Sequence, residues 1–189
     1  MAKVYEFLAD GFEEIEALAP VDVLRRGGVE VLTVSIMGRR EVESAHGVKV
    51  LADVLFDEAG DFADADLLLL PGGMPGSTNL RDHSGVIAAL QHQAEAGKRV
   101  GAICAAPLVL AHAGLLHGRR ATIYPGMEAH LGDAVYEDRL VVEDGQLTTA
   151  CGPAAVLPYS YRLVSYFVGQ ETAEAIARGM VYDRLLAQS

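Results

Sequence analysis

The feature that most constrains the fold is a series of short apolar segments separated by helix-length segments. The clearest is Asp66 to Leu70, a nearly unbroken apolar run of the kind that forms a strand buried on both faces. Lys3 to Ala9, Val29 to Ile36 and Val100 to Ile103 are further short strands of the series. Strands that alternate with helices predict an α/β fold, a three-layer, flavodoxin-like sandwich with a mostly parallel sheet.

The other predicted elements fit the same pattern. Asp144-Gly145 predicts a hairpin turn, and alternating polar and apolar residues predict an exposed hairpin around Ala45-His46-Gly47. The remaining strands are predicted at Glu41 to Glu43, Val48 to Val50, Arg120 to Tyr124, Val135 to Tyr136, Leu140 to Glu143 and Leu147 to Ala150, and the helices from Glu13 to Gly27-Gly28, Ser84 to about Ala96, after Cys104 to Gly114, Ala154 to Val168 and Glu171 to Leu186. With no repeat or linker between them, a single domain over residues 1–189 is predicted.

The composition indicates which classes of partner and which cellular compartment to expect. The formal net charge of −11 disfavours nucleic acid and anionic membrane and favours small molecules or proteins as partners. Two cysteines cannot build a disulfide framework, and neither a signal-peptide pattern nor an apolar run of about 20 residues is present. A cytoplasmic protein is therefore predicted. The apolar content of 51% and mean hydropathy of +0.22 indicate apolar surface buried between subunits.

Four loops are predicted to meet at one edge of the sheet. In an open parallel sheet, ligands bind outside the carboxyl ends of the strands. The loops that leave such ends are Asp10 to Glu16, Pro71 to Gly76, Cys104 to Pro107 and Cys151 to Pro153. Residues on these loops are therefore the candidates for a common pocket.

Cys104 is the candidate nucleophile. It follows the strand Val100 to Ile103 and precedes the small residues Ala105-Ala106-Pro107 and a helix, the arrangement of a nucleophile elbow with sulfur in place of a hydroxyl. Its position and the amide dipoles of that helix are expected to favour the reactive thiolate. The alternative is an inert cysteine that serves as a small apolar residue.

Gly72 and Gly73 are candidates for binding an anionic oxygen. Glycines allow backbone amides to turn toward a ligand, and the amides of Gly73 and Ala105 are the two predicted donors of an oxyanion hole. A phosphate-binding loop is the rival interpretation, but the lysine that such a motif requires is missing. A tight turn without a ligand is the remaining alternative.

Glu16 is the candidate acid–base group. It shares a helix face with Phe12 and Pro20, and apolar neighbours would raise its pKa by desolvation. A protonated Glu16 could donate a hydrogen bond to the Cys104 sulfur or move protons on a bound carbonyl compound. Glu13 and Glu14 are interpreted as first-turn acids that the helix dipole favours, and the same explanation is the alternative for Glu16.

Taken together, these motifs resemble those of one family. The segments Asp10 to Glu16, Pro20 to Arg26, Leu70 to Gly73, Ala102 to Pro107 and Gly152-Pro153 are similar to the ThiJ/PfpI superfamily, in its branch of parkinsonism-associated protein deglycases (DJ-one-type proteins). The resemblance runs in order along essentially the whole chain. It implies a homodimer with a class I glutamine amidotransferase-like, flavodoxin-like fold and an oxidation-sensitive cysteine.

The resemblance also implies site roles and activities. Cys104, Glu16, Gly73 and Ala105 take the catalytic positions, without a cofactor or a metal ion. The substrate contacts it implies are Gly72, Tyr124, His46, Gly152 and Pro153, with His46 directed at the partner subunit's pocket. The implied activity is glyoxalase or deglycase action on small reactive carbonyl compounds or the proteins they modify, together with chaperone and oxidative-stress roles.

Two departures from the family pattern bear on the activity. Tyr124 stands beside Pro125 where many active members have a histidine, and a phenol is a poor base near neutral pH. Ala105 replaces the histidine of peptidase-like members, so peptidase activity is not expected. A redox sensor or chaperone whose Cys104 is oxidised without substrate turnover is therefore one alternative, and a binding domain without chemistry is another.

Cys151 is the second cysteine at the predicted pocket edge. It follows the strand Leu147 to Ala150 and precedes Gly152-Pro153. It could act as a resolving thiol for an oxidised Cys104. The alternative is an incidental small residue beside the pocket.

Overall fold

The four leucines Leu67–Leu70 form the middle strand of a seven-stranded sheet, as the apolar run predicts. A computed structural model describes residues 1–188. In chain order the strands are β1 Lys3–Leu8, β2 Glu30–Ser35, β3 Glu41–Glu43, β4 Lys49–Leu51, β5 Val54–Leu55, β6 Leu67–Leu70, β7 Arg99–Ile103, β8 Arg120–Ala121, β9 Val135–Tyr136, β10 Val141–Asp144 and β11 Leu147–Ala150.

The helices cover both faces of this sheet. They are α1 Glu14–Arg26, α2 Gly76–Asp82, α3 Ser84–Glu95, α4 Pro107–His112, α5 Val156–Val168, α6 Gln170–Gly179 and α7 Tyr182–Gln188, with 3₁₀ turns at Phe56–Glu58, Glu128–Leu131 and Pro153–Ala155. One apolar core lies between the sheet and α2, α3 and α4. The other lies between the sheet and α1, α5 and α6. The three-layer prediction is confirmed.

Alternation along β6 divides its side chains between the two cores. Leu68 and Leu70 belong to the core under α3 and α4, and Leu67 and Leu69 to the core under α1 and α5. All four are at most 1% exposed. Burial of a leucine stabilises the folded state by about 1.5–3 kcal/mol, so β6 is a main contributor to both cores.

The strand order identifies the ligand-binding edge. The sheet runs β10-β11-β7-β6-β1-β2-β5, with parallel neighbours throughout except β10, which pairs antiparallel with β11. Without β5 and β10, this is the 2-1-3-4-5 order of doubly wound flavodoxin-like sheets. The order changes direction between β1 and β6, where ligands bind in such sheets. The loops after these two strands therefore frame the expected site.

Two segments depart from the predicted elements. The strand predicted from Arg120 to Tyr124 ends at Ala121 and pairs with β9 outside the main sheet. It ends there because the amide of Thr122 donates to a side chain, Thr149 Oγ1, at 2.9 Å, and that of Tyr124 to the carbonyl of Cys104 at 2.9 Å. Neither hydrogen bond continues a strand ladder. The predicted loop from Pro71 to Gly76 gives way at Gly76 to α2, which was not predicted.

The C-terminal helix is also interrupted. A single helix is predicted from Glu171 to Leu186, but α6 ends at Gly179 and α7 begins at Tyr182. Val181 between them has φ +57°, the left-handed conformation that a β-branched residue rarely adopts. The helix predicted from Ala154 starts as the 3₁₀ turn and becomes α5 at Val156. No helix among residues 1–188 combines the length and apolar character needed to cross a bilayer.

The predicted hairpin near residue 46 is confirmed. β3 and β4 pair antiparallel, with Val42 opposite Val50. Val42 packs into a small third cluster with Leu8, Phe12 and Ala17. The amide of Gly11 donates to the carbonyl of Glu43 at 2.8 Å, so the hairpin also holds the loop that leads into α1.

Candidate active site

Cys104 lies at the carboxyl end of β7 in a strained conformation. Its φ is +61°, which a non-glycine residue rarely adopts. Such a conformation costs about 1–3 kcal/mol and is concentrated at functional sites. The amide still donates to the carbonyl of Ala150 at 2.8 Å, so the residue remains joined to the sheet while its side chain is redirected. The structure thus has the elbow that the strand–turn–helix pattern predicts.

Gly72 leaves no room for a side chain beside the sulfur. A Cβ at this position would lie 2.5 Å from Glu16 Oε2 and 2.6 Å from Cys104 Cβ. Gly73, the next residue, has φ +87°, and a Cβ there would lie 2.4 Å from the amide nitrogen of Glu13. Both positions therefore require glycine, and the loop after β6 approaches Cys104 through its backbone.

The loop after β1 holds the loop after β6, residues 71–75, in place; we call the latter the glycine loop. The amide of Glu13 donates to the carbonyl of Gly72 at 2.9 Å, and the amide of Gly76 donates to the carbonyl of Gly11 at 3.3 Å. The Asn79 side chain adds a hydrogen bond to the carbonyl of Asp10 at 3.0 Å. The two loops that frame the ligand-binding edge are therefore held together by backbone hydrogen bonds and one side-chain hydrogen bond.

Glu16 is fully buried on the first turn of α1 and faces Cys104. Its Oε2 accepts a hydrogen bond from the Gly72 amide at 3.0 Å. Burial raises the pKa of Glu16 to about 7, and the charge of Glu13 adds to that rise. The side-chain interaction with Cys104 and the Gly72 amide act in the opposite direction. The carboxyl group is therefore able to gain and lose a proton near neutral pH.

The second oxygen of Glu16 is free to carry that proton. Oε1 is buried and accepts no hydrogen bond of good geometry within residues 1–188. The carboxyl and the Cys104 thiol are nonetheless close enough to share a hydrogen-bonding interaction. A proton on Oε1 would convert an unpaired acceptor into a donor.

The electrostatics of Cys104 differ from the prediction. Burial, the carboxylate charge of Glu16 and its hydrogen bond raise the pKa of the Cys104 thiol above its usual range, whereas the amides of Ala105 and Gly73 lower it. The predicted preference for thiolate is therefore wrong for the resting site with an ionised Glu16. The helix contributes little, because α4 is short and begins with Pro107, which has no amide hydrogen.

The amides of Ala105 and Gly73 lie close enough to the Cys104 sulfur to lower the pKa of its thiol. These are the two donors that the sequence predicts for an oxyanion hole. Because they already surround the sulfur, an oxygen bonded to a carbon on that sulfur lies within their reach. The structure therefore brings Cys104, Glu16, Gly73 and Ala105 together.

Tyr124 and Gly152 lie next to each other, and Tyr124 is hydrogen-bonded to the backbone of Cys104. The amide of Tyr124 donates to the carbonyl of Cys104, and a Cβ on Gly152 would lie 3.4 Å from the Tyr124 ring. Tyr124 as a whole is 47% exposed, so it forms part of an open rim. Pro153 begins the 3₁₀ turn directly after Gly152.

His46 contacts its own chain rather than Cys104. Its Nδ1 lies 3.1 Å from Glu14 Oε2, and hydrogen bonding to this carboxylate raises the pKa of the imidazole. The ring is 67% exposed. Glu13, Glu14 and His46 place possible metal-ligand atoms within 4.8 Å of one another, but they are exposed in part and Glu13 already caps α1. The predicted role of His46 in a partner's pocket stays a prediction.

Glu13 makes more contacts around the site than the sequence predicts. It is the N-cap of α1, and its Oε2 accepts from the Glu16 amide at 2.7 Å. Its own amide holds Gly72, so this residue fixes both the carboxyl group and the glycine loop. The spacing of three residues between Glu13 and Glu16 was the available signal, because an N-cap side chain bonds the third amide of its helix.

Comparisons with known proteins identify the family to which this chain belongs. Residues 2–165 match the DJ-1/PfpI family. Protein DJ-1 homolog B of Arabidopsis thaliana is 40% identical over 87% of this chain and 37% of its own length. A deglycase from Pyrococcus horikoshii is 35% identical over 80% of this chain and 91% of its own. The crystal structure of Drosophila melanogaster DJ-1beta superposes with a TM-score of 0.92 and 33% identity, covering 95% of this chain and 97% of that one.

The match extends over most of this chain but not over all of each relative. The chain spans 37% and 42% of the lengths of the two Arabidopsis relatives, and 94% of Drosophila protein dj-1beta. The family match covers the sheet, the elbow and α5 as far as Ser165. The chain belongs to the DJ-1/PfpI family.

Proposed function

We propose that this chain is a cofactor-free, cysteine-dependent protein of the glyoxalase or deglycase type, which acts on 2-oxoaldehydes or their adducts with proteins. Its role is protection against carbonyl and oxidative stress. One observation carries the proposal: the buried carboxyl group of Glu16 and the Gly72 backbone lie against Cys104, and the amides of Gly73 and Ala105 lower the pKa of its thiol. The 35% identity with a protein named a deglycase supports the same class.

The first step is addition of sulfur to the aldehyde carbon. Cys104 transfers its proton to the Glu16 carboxylate as a carbon–sulfur bond forms and the carbonyl π electrons move to oxygen. The Gly73 and Ala105 amides donate to that oxyanion, and its protonation gives a hemithioacetal. A Cys104 thiol of raised pKa is compatible with this step because the proton acceptor lies beside it.

The second step moves hydrogen between the two substrate carbons. Glu16 in its ionised form removes the proton from the carbon bonded to sulfur, giving an enediol, and returns a proton to the neighbouring carbon. The product is a thioester of a 2-hydroxy acid, which water hydrolyses to the acid and free Cys104. A pKa of about 7 suits Glu16 to both halves of the transfer.

We also assign the residues that line the pocket around a bound substrate. Gly72 places bare backbone against Cys104, and Tyr124, Gly152 and Pro153 form the rim where an adduct's larger part would lie. The Tyr124 hydroxyl can donate a hydrogen bond to a substrate oxygen, but it is a poor base near neutral pH. Proton transfer therefore falls to Glu16.

A homodimer in the cytoplasm completes the proposal. Large apolar side chains are exposed on α1 (Ile15, 54%) and on the hairpin (Leu51, 73%), the two elements that also carry Glu14 and His46. Exposed apolar residues of this kind often mark a subunit contact. Such a contact would place His46 close to a partner subunit.

Lactate formation from methylglyoxal tests the activity. Cys104→Ser is expected to lose at least a hundredfold of the rate because oxygen is a far weaker nucleophile than sulfur in this setting. Glu16→Gln is expected to lose a similar factor because the amide cannot move protons. His92→Ala, an exposed change on α3, serves as the control and should retain the parent rate. Equal rates in the parent and Cys104→Ser, or no rate above buffer in the parent, would refute the proposal.

A redox sensor or chaperone is the second candidate. Tyr124 in place of a histidine favours it, since the pocket then has a single acid–base group. Graded peroxide followed by mass spectrometry separates the two. A sensor should oxidise at Cys104 before its five methionines and show no lactate formation. Oxidation of methionines with Cys104 intact would exclude the sensor.

A further inference from the structure

Cys104 and Cys151 are in register on neighbouring strands. The parallel ladder of β7 and β11 pairs Val100 with Leu147, and the Val100 amide donates to the carbonyl one residue before that partner. The Cys104 amide donates to the carbonyl of Ala150 in the same way. By this pattern the partner of Cys104 is Cys151, one step beyond the last assigned pair, Ile103 and Ala150.

Cys104 and Cys151 both contact the apolar core between the sheet and α1, α5 and α6. In a regular strand Cys104 would point to the opposite face from Ile103. Its left-handed conformation instead places it in the core that contains Ile103 and Ala150, and Cys151 packs against this core. Neighbouring strands lie about 4.8 Å apart, within the range of about 4.4–6.8 Å between the Cα atoms of a disulfide.

The two sulfurs are not equivalent. The amides of Ala105 and Gly73 lower the pKa of the Cys104 thiol, and they can stabilise charge that develops there when an oxidant reacts. Cys151 is half-buried beside the open rim formed by Tyr124 and Gly152. Both cysteines are free thiols in this structure. Because the Glu16 carboxyl group beside it can accept the thiol proton, we expect Cys104 to react first, with Cys151 as its neighbour.

We propose that Cys151 is a resolving cysteine, which captures oxidised Cys104 as an intrachain disulfide and protects it from irreversible oxidation. The Cys104 sulfur attacks a hydroperoxide, the oxygen–oxygen bond breaks, and a sulfenic acid and water or an alcohol form. The Cys151 sulfur then attacks the Cys104 sulfur and displaces hydroxide, which leaves as water with the thiol proton. Two electrons pass from the sulfurs to the peroxide, and two equivalents of a small thiol restore the dithiol.

The proposal rests on the reactive Cys104 of the proposed function, and mass spectrometry distinguishes the two. Trypsin places the cysteines in separate peptides, 100–119 and 140–162, and neither peptide contains methionine. The full chain is treated with one to five equivalents of hydrogen peroxide, alkylated and digested without reductant. Parent protein is expected to give a linked peptide of both segments, independent of protein concentration and lost on treatment with dithiothreitol.

Two variants make the outcome decisive. Cys151→Ser should accumulate sulfinic acid on peptide 100–119 at peroxide doses where the parent gives disulfide, and dithiothreitol should not reverse it. Cys104→Ser should leave Cys151 reduced. Sulfinic acid on Cys104 at equal rates in the parent and Cys151→Ser, with Cys151 alkylated, would overturn the resolving role alone. A Cys104 that resists peroxide altogether would overturn both this role and the reactive thiol on which it depends.

Discussion

Glu16 should make the protein less stable as the pH rises toward neutrality, and Glu16→Gln should remove this effect. In the unfolded chain the carboxyl group loses its proton near its ordinary pKa of 4.5, whereas in the folded protein it keeps the proton until about pH 7. Between these values the folded state binds more protons than the unfolded state. The free energy of unfolding therefore falls as the pH rises through this window.

The size of the effect follows from the pKa values. A rise from 4.5 to about 7 corresponds to about 3 kcal/mol, at about 1.4 kcal/mol per pH unit. This contribution is fully present below pH 4.5 and is lost above about pH 7. Glutamine has nearly the same shape as the protonated acid and can accept from the Gly72 amide, so the variant should keep the local structure.

Urea denaturation at a series of pH values measures the difference. The stability of the parent relative to Glu16→Gln should fall by about 3 kcal/mol between about pH 4 and about pH 8, in the presence of reductant. Other titrating groups cancel in this difference. Glu95→Gln, on the exposed end of α3, is the matched control and should give a flat difference. A flat difference for Glu16→Gln as well would show that the buried carboxyl group is ionised at the same pH in both states.

Three further changes probe other parts of the structure. Tyr124→His should raise turnover of 2-oxoaldehydes several-fold and add a limb near pH 6.5 to the pH–rate profile, because an imidazole is a base at the rim of the pocket; an unchanged profile would contradict this. Tyr159→Phe should raise the free energy of unfolding by about 1 kcal/mol, measured by thermal unfolding, since the hydroxyl is buried without a hydrogen-bond partner within residues 1–188. Val181→Gly should also stabilise, by about 0.5–1 kcal/mol, because an exposed valine at φ +57° is strained; a loss of stability would mean that its packing outweighs the strain.

The sheet was predictable because its signal is local. Four leucines in a row cannot satisfy a half-exposed strand, so Leu67–Leu70 had to be central, and the alternation with helices then required parallel neighbours. The hairpin likewise follows from alternation of side chains along β3 and β4. Arg120 to Tyr124 carries the same local pattern, but a distant side chain, Thr149, takes the hydrogen bond that a ladder would need. Sequence patterns do not contain that competition.

The site was predictable in its members but not in its electrostatics. Cys104, Glu16 and the glycine loop occupy the ends of strands and the start of a helix, which the topology brings to one edge. Whether Cys104 favours the thiolate depends on the balance between burial, the charge on Glu16 and two amide hydrogens. These contributions depend on distances of a few ångströms and have opposite signs. Position in the sequence therefore identifies the reactive group but not its protonation state.

The face of the sheet on which the Cys104 thiol lies depends on the same conformational feature as the elbow. A residue with ordinary strand geometry at position 104 would point away from α1, where Glu16 lies, and away from the layer of Cys151. The positive φ of Cys104 therefore creates the pairing with the carboxyl group and the juxtaposition with the second thiol at once. It also explains why Gly72 must lack a side chain, since a Cβ there would contact both Glu16 and Cys104. One strained residue thus determines which groups can exchange protons or electrons with the sulfur.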